Sequence, residues 1–294
     1  MQKRSKRNDR TGNALSRFRR WRRGALALAT FLIFFGWMLR RFEHSQVYQP
    51  SFVLEATATQ LGRPVEDLFI SMDGVPAVHA WFFPAPSSDA FVFLVCHGNG
   101  GNISHRVDLY EILFKTGAAV LAFDYRGYGR SPGAPGEEKT YADAQAAHNW
   151  LRTRGFAPEQ IVVLGESLGG GVATELAVRE KIGALILQST FTSICDVGGD
   201  LFPWLPVKLI NTIRYDTRNK LPGIRVPVLI LHSRADSMIR FAHAEKNFAA
   251  ANTPKYLEEI SGDHNGPLDA AALQRAIDRL LRTLPPVPEH SDHG

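Results

Sequence analysis

One short motif in this chain carries the residues best suited to nucleophilic chemistry. The sequence GESLGGG occupies residues 165–171 and directly follows an apolar run at residues 161–164. A G-x-S-x-G turn between a strand and a helix forces its serine into a sharp elbow, and its glycines are needed because side chains there would clash with neighbouring backbone. The motif therefore predicts that Ser167 is an exposed nucleophile at the carboxyl end of a strand.

A serine hydroxyl is a weak nucleophile, so it needs a base, and the base needs an acid that orients it. In hydrolases with this elbow the chain order is serine, acid, histidine, with each residue at the end of a strand. Asp236 follows a strand-like run at residues 226–231, and His264 follows another at 256–260. His264 is predicted to take the proton from Ser167. Asp236 is predicted to fix the imidazole tautomer and to stabilise the imidazolium.

Other titratable residues compete for these roles. Asp263 adjoins His264, but neighbouring residues rarely place a carboxylate against the ring nitrogen opposite the serine. His232 lies beside the Asp236 loop and is predicted to be structural. Four further histidines lack comparable context and are interpreted as surface or packed residues: His79, His105, His148 and His243. No group of His, Cys, Asp and Glu has metal-ligand spacing, so neither a metal nor a cofactor is predicted.

Two further loops follow apolar runs. In HGNGGN, residues 97–102, backbone N–H groups can approach a ligand closely, so the N–H groups of Asn99 and Leu168 are predicted to form an oxyanion hole. The alternative is a glycine-rich loop that serves packing alone. The loop DYRGYGRS at 124–131 could shape a pocket rim or serve loop packing, and it is not assigned to catalysis.

The elements that must position these residues can be read from the apolar pattern. A strand pair with a turn at Asp73–Gly74 is followed by short apolar runs that alternate with helix-length segments. Continuous apolar runs are typical of strands buried on both faces, and their alternation with helices predicts a mostly parallel sheet flanked by helices. The runs lie at 91–96, 119–123, 161–164, 184–187 and 226–231, and the helices are predicted around 103–115, 140–154, 168–180, 240–250 and 268–283.

With these motifs in place, the chain resembles the α/β-hydrolase superfamily, and more closely its membrane-anchored branch. The resemblance covers about residues 65–284 and rests on HGNGGN, DYRGYGRS, GESLGGG, the stretch STFTSI at 189–194, Asp236 and His264. It implies the α/β-hydrolase fold with eight strands, and hydrolysis of an acyl ester or thioester without a cofactor. A serine peptidase or amidase on the same fold, or a non-catalytic membrane-tethered scaffold, remains an alternative.

An uncharged apolar segment at residues 24–39 is interpreted as a retained membrane anchor. As a helix it would span about 24 Å, short of a hydrocarbon core of about 30 Å, but flanking arginines and tryptophans can extend it into the headgroups. A cleaved signal peptide or a soluble core helix is the alternative. Ten Lys/Arg precede the segment, which predicts a cytoplasmic N-terminus and an extracytoplasmic catalytic domain, periplasmic in a bacterium.

Charge and composition limit the remaining classes. Residues 1–41 hold 12 of the 34 Lys/Arg and one of the 29 Asp/Glu, net +11, so the remaining 22 basic and 28 acidic residues leave net −6. A domain of net negative charge is a poor candidate for binding a phosphate backbone, so no nucleic-acid partner is predicted. The expected partners are an ester substrate, small or lipid-like, and the membrane.

The expected organisation follows from these segments. Beside the domain at 65–284, it comprises a basic tail at 1–23, the anchor at 24–39, a linker at 40–64 and a flexible tail at 285–294. Residues 191–225 form an irregular stretch between two core strands and are predicted to be a small cap; a surface excursion is the alternative. Whether Cys96 and Cys195 pair is left open by the sequence.

Overall fold

The computed structural model describes residues 5–72, 75–87 and 89–286. The predicted turn at Asp73–Gly74, the start of the basic tail at residues 1–4, and the tail from residue 287 onward lie outside the described residues. The chain forms two compact units, Met1–Gln46 and Val47–Gly294, and each is described by itself.

The N-terminal unit is built on one long helix, α1 (Ser5–Val47). Apolar side chains on all sides of it, including Leu26, Phe31 and Ile33, are exposed. Within its stretch Arg17–Val47, an 18-residue segment has a mean hydropathy of 1.5 and contains no buried residue. Its length and composition are sufficient to cross a membrane, and a signal sequence near an N-terminus would have the same properties.

The second unit contains the strands of the molecule's described part. Eight of them form one sheet, in the order β10-β9-β8-β7-β4-β6-β3-β2, and two form a short separate pair, β1-β5. In chain order they are β1 (Gln49–Pro50), β2 (Glu66–Met72), β3 (Val75–Phe83), β4 (Val92–Cys96), β5 (Gly100–Gly101), β6 (Ala119–Phe123), β7 (Ile161–Glu166), β8 (Ala184–Gln188), β9 (Val228–Ser233) and β10 (Lys255–Ile260). β3 is antiparallel to both β2 and β6, and the other pairs are parallel.

Helices connect the parallel strands and cover the sheet. They are α2 (Val107–Phe114), α3 (Glu137–Thr153), α4 (Leu168–Arg179), α5 (Ile194–Leu201), α6 (Val207–Ile210), α7 (Thr217–Lys220), α8 (Phe241–Ala250) and α9 (Ala270–Thr283). Short 3-10 turns span Ala58–Leu61, Ile103–Arg106, Pro158–Gln160 and Leu221–Gly223. The predicted fold class, a mostly parallel eight-stranded sheet flanked by helices, is confirmed.

Two apolar cores lie on opposite faces of the sheet, as strand β4 illustrates. Val92, Leu94 and Cys96 belong to one core, whereas Phe93 and Val95 belong to the other. Alternate side chains of a strand point to opposite faces, so a strand covered on both sides must be apolar at every position. This burial explains the continuous apolar runs in the sequence.

The sheet order brings the predicted site to one edge. β4, β7, β9 and β10 are parallel members of the same sheet, and the loops that follow them carry Asn99, Ser167, Asp236 and His264 respectively. Because carboxyl ends of parallel strands lie at the same edge, residues far apart in sequence meet there.

The predicted cap segment at 191–225 is partly helical and contains α5, α6 and α7. The Ser193 side chain caps α5 by accepting from the Asp196 N–H, 3.0 Å away. Three large apolar side chains of this segment are exposed: Leu201 (50%), Trp204 (78%) and Leu209 (87%). Cys96 and Cys195 are buried free thiols.

Candidate active site

Ser167 lies between the end of β7 and the start of α4, in a conformation that L-amino acids rarely adopt. Its φ is 50° and its ψ −114°. Two hydrogen bonds hold it there: its N–H donates to Gln188 O at 2.9 Å, and its carbonyl accepts from Thr190 Oγ1 at 2.7 Å. Strain of this kind persists only where the surroundings impose it, and it clusters at functional sites.

The glycines of the motif are required by close backbone approach. A Cβ on Gly165 would lie 2.4 Å from Gly169 O, and a Cβ on Gly169 would lie 1.9 Å from Cys96 O. Any side chain at either position would push the elbow away from β4 or distort the start of α4. The turn geometry expected from the sequence is therefore present.

The structure brings Ser167, His264 and Asp236 into one hydrogen-bonded chain. Ser167 Oγ lies 3.0 Å from His264 Nε2, and His264 Nδ1 lies 2.7 Å from Asp236 Oδ2. With the Nδ1 proton donated to the carboxylate, Nε2 is left with a lone pair facing the serine hydroxyl. This arrangement can remove a proton from Ser167.

The environment of Asp236 favours the ionised carboxylate. Burial alone would raise its pKa, but hydrogen bonds from the His264 ring and from the Ile239 N–H hold the pKa below its ordinary value. His232 lies behind the carboxylate, with Nε2 3.4 Å from Asp236 Oδ2 and 2.7 Å from Ile239 O. Burial lowers the pKa of His232, so its ring is neutral at pH 7 and supports the loop.

The Asp263 carboxylate contacts two backbone N–H groups and the Ser237 side chain, whereas Nδ1 of the His264 ring is bound by Asp236. Asp263 Oδ1 accepts from the N–H groups of Ser237 and His264, both at 2.8 Å. These bonds join the loop that carries Asp236 to the loop that carries His264. The carboxylate next to His264 in sequence is therefore placed to hold the two loops together.

The predicted oxyanion residues lie at the start of α4, for Leu168, and in the loop after β4, for Asn99. Leu168 opens α4, so its N–H has no partner within the helix. The Asn99 N–H belongs to the peptide whose carbonyl, on Gly98, accepts from His97 Nδ1 at 2.7 Å. Because the two groups of a trans peptide point in opposite directions, the His97 ring fixes the direction of the Asn99 N–H.

His97 must be neutral in this environment. Burial lowers its pKa to about 4, and the Asp124 carboxylate 3.5 Å from Nε2 offsets this only in part. A neutral ring with its proton on Nδ1 is the form that can donate to Gly98 O.

We expect the domain to lose stability as the pH falls from about 6.5 to 4. In this interval the unfolded chain binds a proton at His97, whereas the folded chain does not, so the free energy of unfolding decreases by up to about 3 kcal/mol from this group. His97→Asn keeps an N–H donor for Gly98 O but does not titrate. The free energy of unfolding, measured with urea at pH 7 and pH 4.5, should change less with pH for the variant than for the wild type. An equal change in the two proteins would contradict the lowered pKa of His97.

One ion pair at the site was not recognised in the sequence. Arg106 Nε donates to Glu166 Oε2 at 2.7 Å, and its terminal nitrogen donates to Gly100 O at 3.0 Å. The pair thus joins the residue before Ser167 to the loop that carries Asn99. An acidic residue inside the G-x-S-x-G motif was a usable signal, but its partner on another element could not be read from spacing.

Comparisons with known proteins agree with this architecture. A family model described as alpha/beta hydrolase fold matches residues 92–207. The uncharacterized protein Rv2307c of Mycobacterium tuberculosis is 35% identical over 259 residues, which cover 86% of this chain and 91% of that protein. The alpha/beta hydrolase domain-containing protein WAV2 of Arabidopsis thaliana is 35% identical, covering 77% of this chain and 82% of that protein.

Two further similarities involve proteins with named activities. The lysophosphatidylserine lipase ABHD12 of Danio rerio is 34% identical over 60% of this chain, which spans 51% of that protein. The solved structure of the esterase Pf2001 of Pyrococcus furiosus matches with a TM-score of 0.67 at 22% identity, covering 80% of this chain and 99% of that one. The sheet, the elbow and these matches define an α/β-hydrolase fold. The chain belongs to the α/β-hydrolase family of enzymes.

Proposed function

We propose that this protein hydrolyses a carboxylic ester or thioester through a Ser167–His264–Asp236 triad and an acyl-enzyme. The observation that carries the proposal is the hydrogen-bonded chain from Ser167 Oγ to His264 and on to Asp236, at 3.0 and 2.7 Å. These separations suit proton transfer by a general base. The esterase and lipase names among the related proteins support the reaction class.

The first half of the reaction forms the acyl-enzyme. Ser167 Oγ attacks the substrate carbonyl carbon while its proton moves to His264 Nε2, and the carbonyl electrons move onto oxygen. The N–H groups of Asn99 and Leu168 stabilise this oxyanion. When the tetrahedral intermediate collapses, the bond to the leaving group breaks and His264 transfers the proton to the departing alcohol or thiol.

The second half releases the acid. A water molecule attacks the acyl carbon, and its proton passes to His264 Nε2. Collapse of the second intermediate breaks the bond to Ser167 Oγ, which recovers a proton from His264. Throughout the cycle Asp236 stays ionised and stabilises the imidazolium, consistent with hydrogen bonds that hold the pKa of this carboxyl low.

An apolar acyl group is the proposed substrate feature. In the segment 191–225, which we propose to act as a cap, Leu201, Trp204 and Leu209 are exposed. Exposed apolar side chains that gather into one patch mark surfaces that bind apolar ligands, protein partners or membranes, and we assign this segment to the first of these. We further propose that α1 is a retained anchor with a cytoplasmic N-terminus, since ten Lys/Arg precede the apolar segment.

Turnover of a chain-length series tests the substrate proposal. For the purified full-length chain in detergent we expect kcat/KM for p-nitrophenyl esters to rise from acetate to octanoate by at least about tenfold, because one methylene in an apolar pocket contributes about 1 kcal/mol or more. The matched p-nitroanilide of the best acyl group should be hydrolysed far more slowly. A flat series would remove the apolar acyl group from the proposal, and faster amide cleavage would favour a peptidase.

A further inference from the structure

The segment that follows α1 forms a short parallel pair with the loop that carries Asn99. β1 pairs with β5, in the register Gln49 opposite Gly100 and Pro50 opposite Gly101. The Gln49 N–H donates to Asn99 O at 3.1 Å, and the Ser51 N–H donates to Gly101 O, also at 3.1 Å. The backbone of residues 49–51 therefore contacts the part of HGNGGN that holds the proposed oxyanion donor.

Asn102, the last residue of the loop, holds the same segment with its side chain. Its side chain is fully buried, and its Nδ2 donates to Ser51 O at 3.1 Å and to Val53 O at 2.7 Å. Its Oδ1 accepts from the N–H and the hydroxyl of Ser104, at 3.0 and 2.6 Å. The Ser104 hydroxyl in turn accepts from the Glu55 N–H at 2.9 Å. Both Nδ2 donors of this buried amide therefore join the segment to the loop, and Oδ1 holds Ser104, whose hydroxyl binds the Glu55 N–H.

The start of the segment is fixed in the core. Tyr48 is 4% exposed, and its hydroxyl lies 2.9 Å from the hydroxyl of the fully buried Tyr215. The Tyr215 hydroxyl also lies 2.8 Å from Thr140 Oγ1, on α3. Residues 48–55 are thus held at their beginning by the core and along their length by the loop, and we call them the strap.

The loop needs external support because three of its six residues are glycines. Gly98, Gly100 and Gly101 give the backbone wide conformational freedom, and Gly101 has a φ of +80°. An oxyanion hole is effective only when its donors are held in place before the reaction. The Asn99 carbonyl accepts from both the Gln49 N–H and the Tyr128 hydroxyl, the latter at 2.9 Å. With His97 bound to Gly98 O, the peptide groups on both sides of Asn99 Cα are held.

We propose that the strap positions residues 97–102, which we call the oxyanion loop. Turnover at Ser167 then depends on the backbone N–H of Gln49. This inference rests on the proposed function, because it assigns a catalytic consequence to the Asn99 peptide. The strap begins directly after α1, so the segment that joins the apolar helix to the domain acts on turnover through its backbone contacts with the loop and touches no reacting atom.

A matched pair of substitutions in the full-length chain tests the strap. Gln49→Pro removes the N–H that Asn99 O accepts, whereas Gln49→Ala removes an exposed side chain and keeps that N–H. We expect Gln49→Pro to lower kcat for a p-nitrophenyl ester by about tenfold to 100-fold, less than the loss of a whole oxyanion donor. KM should change less than about threefold, and Gln49→Ala should stay within about twofold of the wild type.

A second variant acts on the loop side. Asn102→Asp keeps the oxygen that Ser104 needs but replaces the donor to Ser51 O and Val53 O by an acceptor. We expect kcat to fall again with KM nearly unchanged, while amide hydrogen exchange becomes faster in peptides that contain residues 97–106. Exchange elsewhere in the sheet should match the wild type, which separates a local effect from unfolding.

The outcomes distinguish the two proposals. If the wild type is active and labelled at Ser167, but folded Gln49→Pro and Asn102→Asp turn over at the wild-type kcat, the strap proposal is wrong and the proposed function stands. A wild type that neither hydrolyses esters nor reacts at Ser167 overturns the proposed function, and the catalytic role of the strap with it.

Discussion

Ser167→Ala is expected to abolish covalent labelling of the full-length protein by a fluorophosphonate and to lower kcat for ester hydrolysis by about 10⁴-fold or more. In the proposed mechanism the Ser167 Oγ atom is both the nucleophile and the group that takes the phosphonate, so no other atom of the site can replace it. Labelling detected on a gel, followed by peptide mapping of the modified residue, makes the measurement independent of the natural substrate.

Ser189→Ala provides a matched control for this result. Ser189 follows β8, the strand next to β7, and has a φ of 48°, close to the 50° of Ser167. Its N–H donates to Leu231 O in β9, so its backbone is held at the carboxyl end of the parallel strands. We expect this variant to retain labelling and turnover. Labelling that persists in Ser167→Ala, or that disappears in Ser189→Ala alone, would assign the nucleophile elsewhere.

Asp236→Asn is expected to lower kcat by about 10⁴-fold at neutral pH while the protein remains folded. The amide can donate to His264 Nδ1, which favours the tautomer with its proton on Nε2, facing Ser167. The imidazole then has no lone pair for the serine proton, and the imidazolium loses the carboxylate that stabilises it. Steady-state kinetics with a soluble p-nitrophenyl ester, together with a circular dichroism spectrum, would measure both properties.

Asp263→Asn distinguishes the two neighbouring carboxylates. The substitution keeps Oδ1 as the acceptor for the N–H groups of Ser237 and His264, so the backbone bonds between the two loops are retained. We expect kcat to change by less than about tenfold. A loss equal to that of Asp236→Asn would mean that the acid of the site had been assigned to the wrong residue.

The strap and the Arg106–Glu166 pair bind different carbonyls of the same loop. Arg106 donates to Gly100 O, and the strap donates to Asn99 O and Gly101 O. The carbonyls of three successive residues in a glycine-rich loop are therefore occupied by donors from outside it. Carbonyls held in this way fix the backbone of the loop, whose Asn99 N–H is the proposed oxyanion donor.

Much of the sheet could be predicted from the sequence because a strand that is buried on both faces is a continuous run of apolar residues. The apolar runs at residues 91–96, 119–123 and 161–164 coincide with β4, β6 and β7 to within one or two residues. The glycine positions of GESLGGG were similarly informative, since a Cβ at Gly165 or Gly169 would overlap neighbouring backbone. Burial and close backbone approach each act on single positions. Each restricts the residue type at its position, so both are visible in the sequence.

The tertiary structure decided which of these positions meet. Ser167 and His264 are 97 residues apart, and the order of β7, β8, β9 and β10 brings their loops together. Residues 48–55, predicted to lie in a linker, join the oxyanion loop chiefly through backbone N–H and carbonyl groups. Every residue except proline carries both groups, so such pairing leaves almost no trace in residue type, and only the folded chain determines which segment meets which.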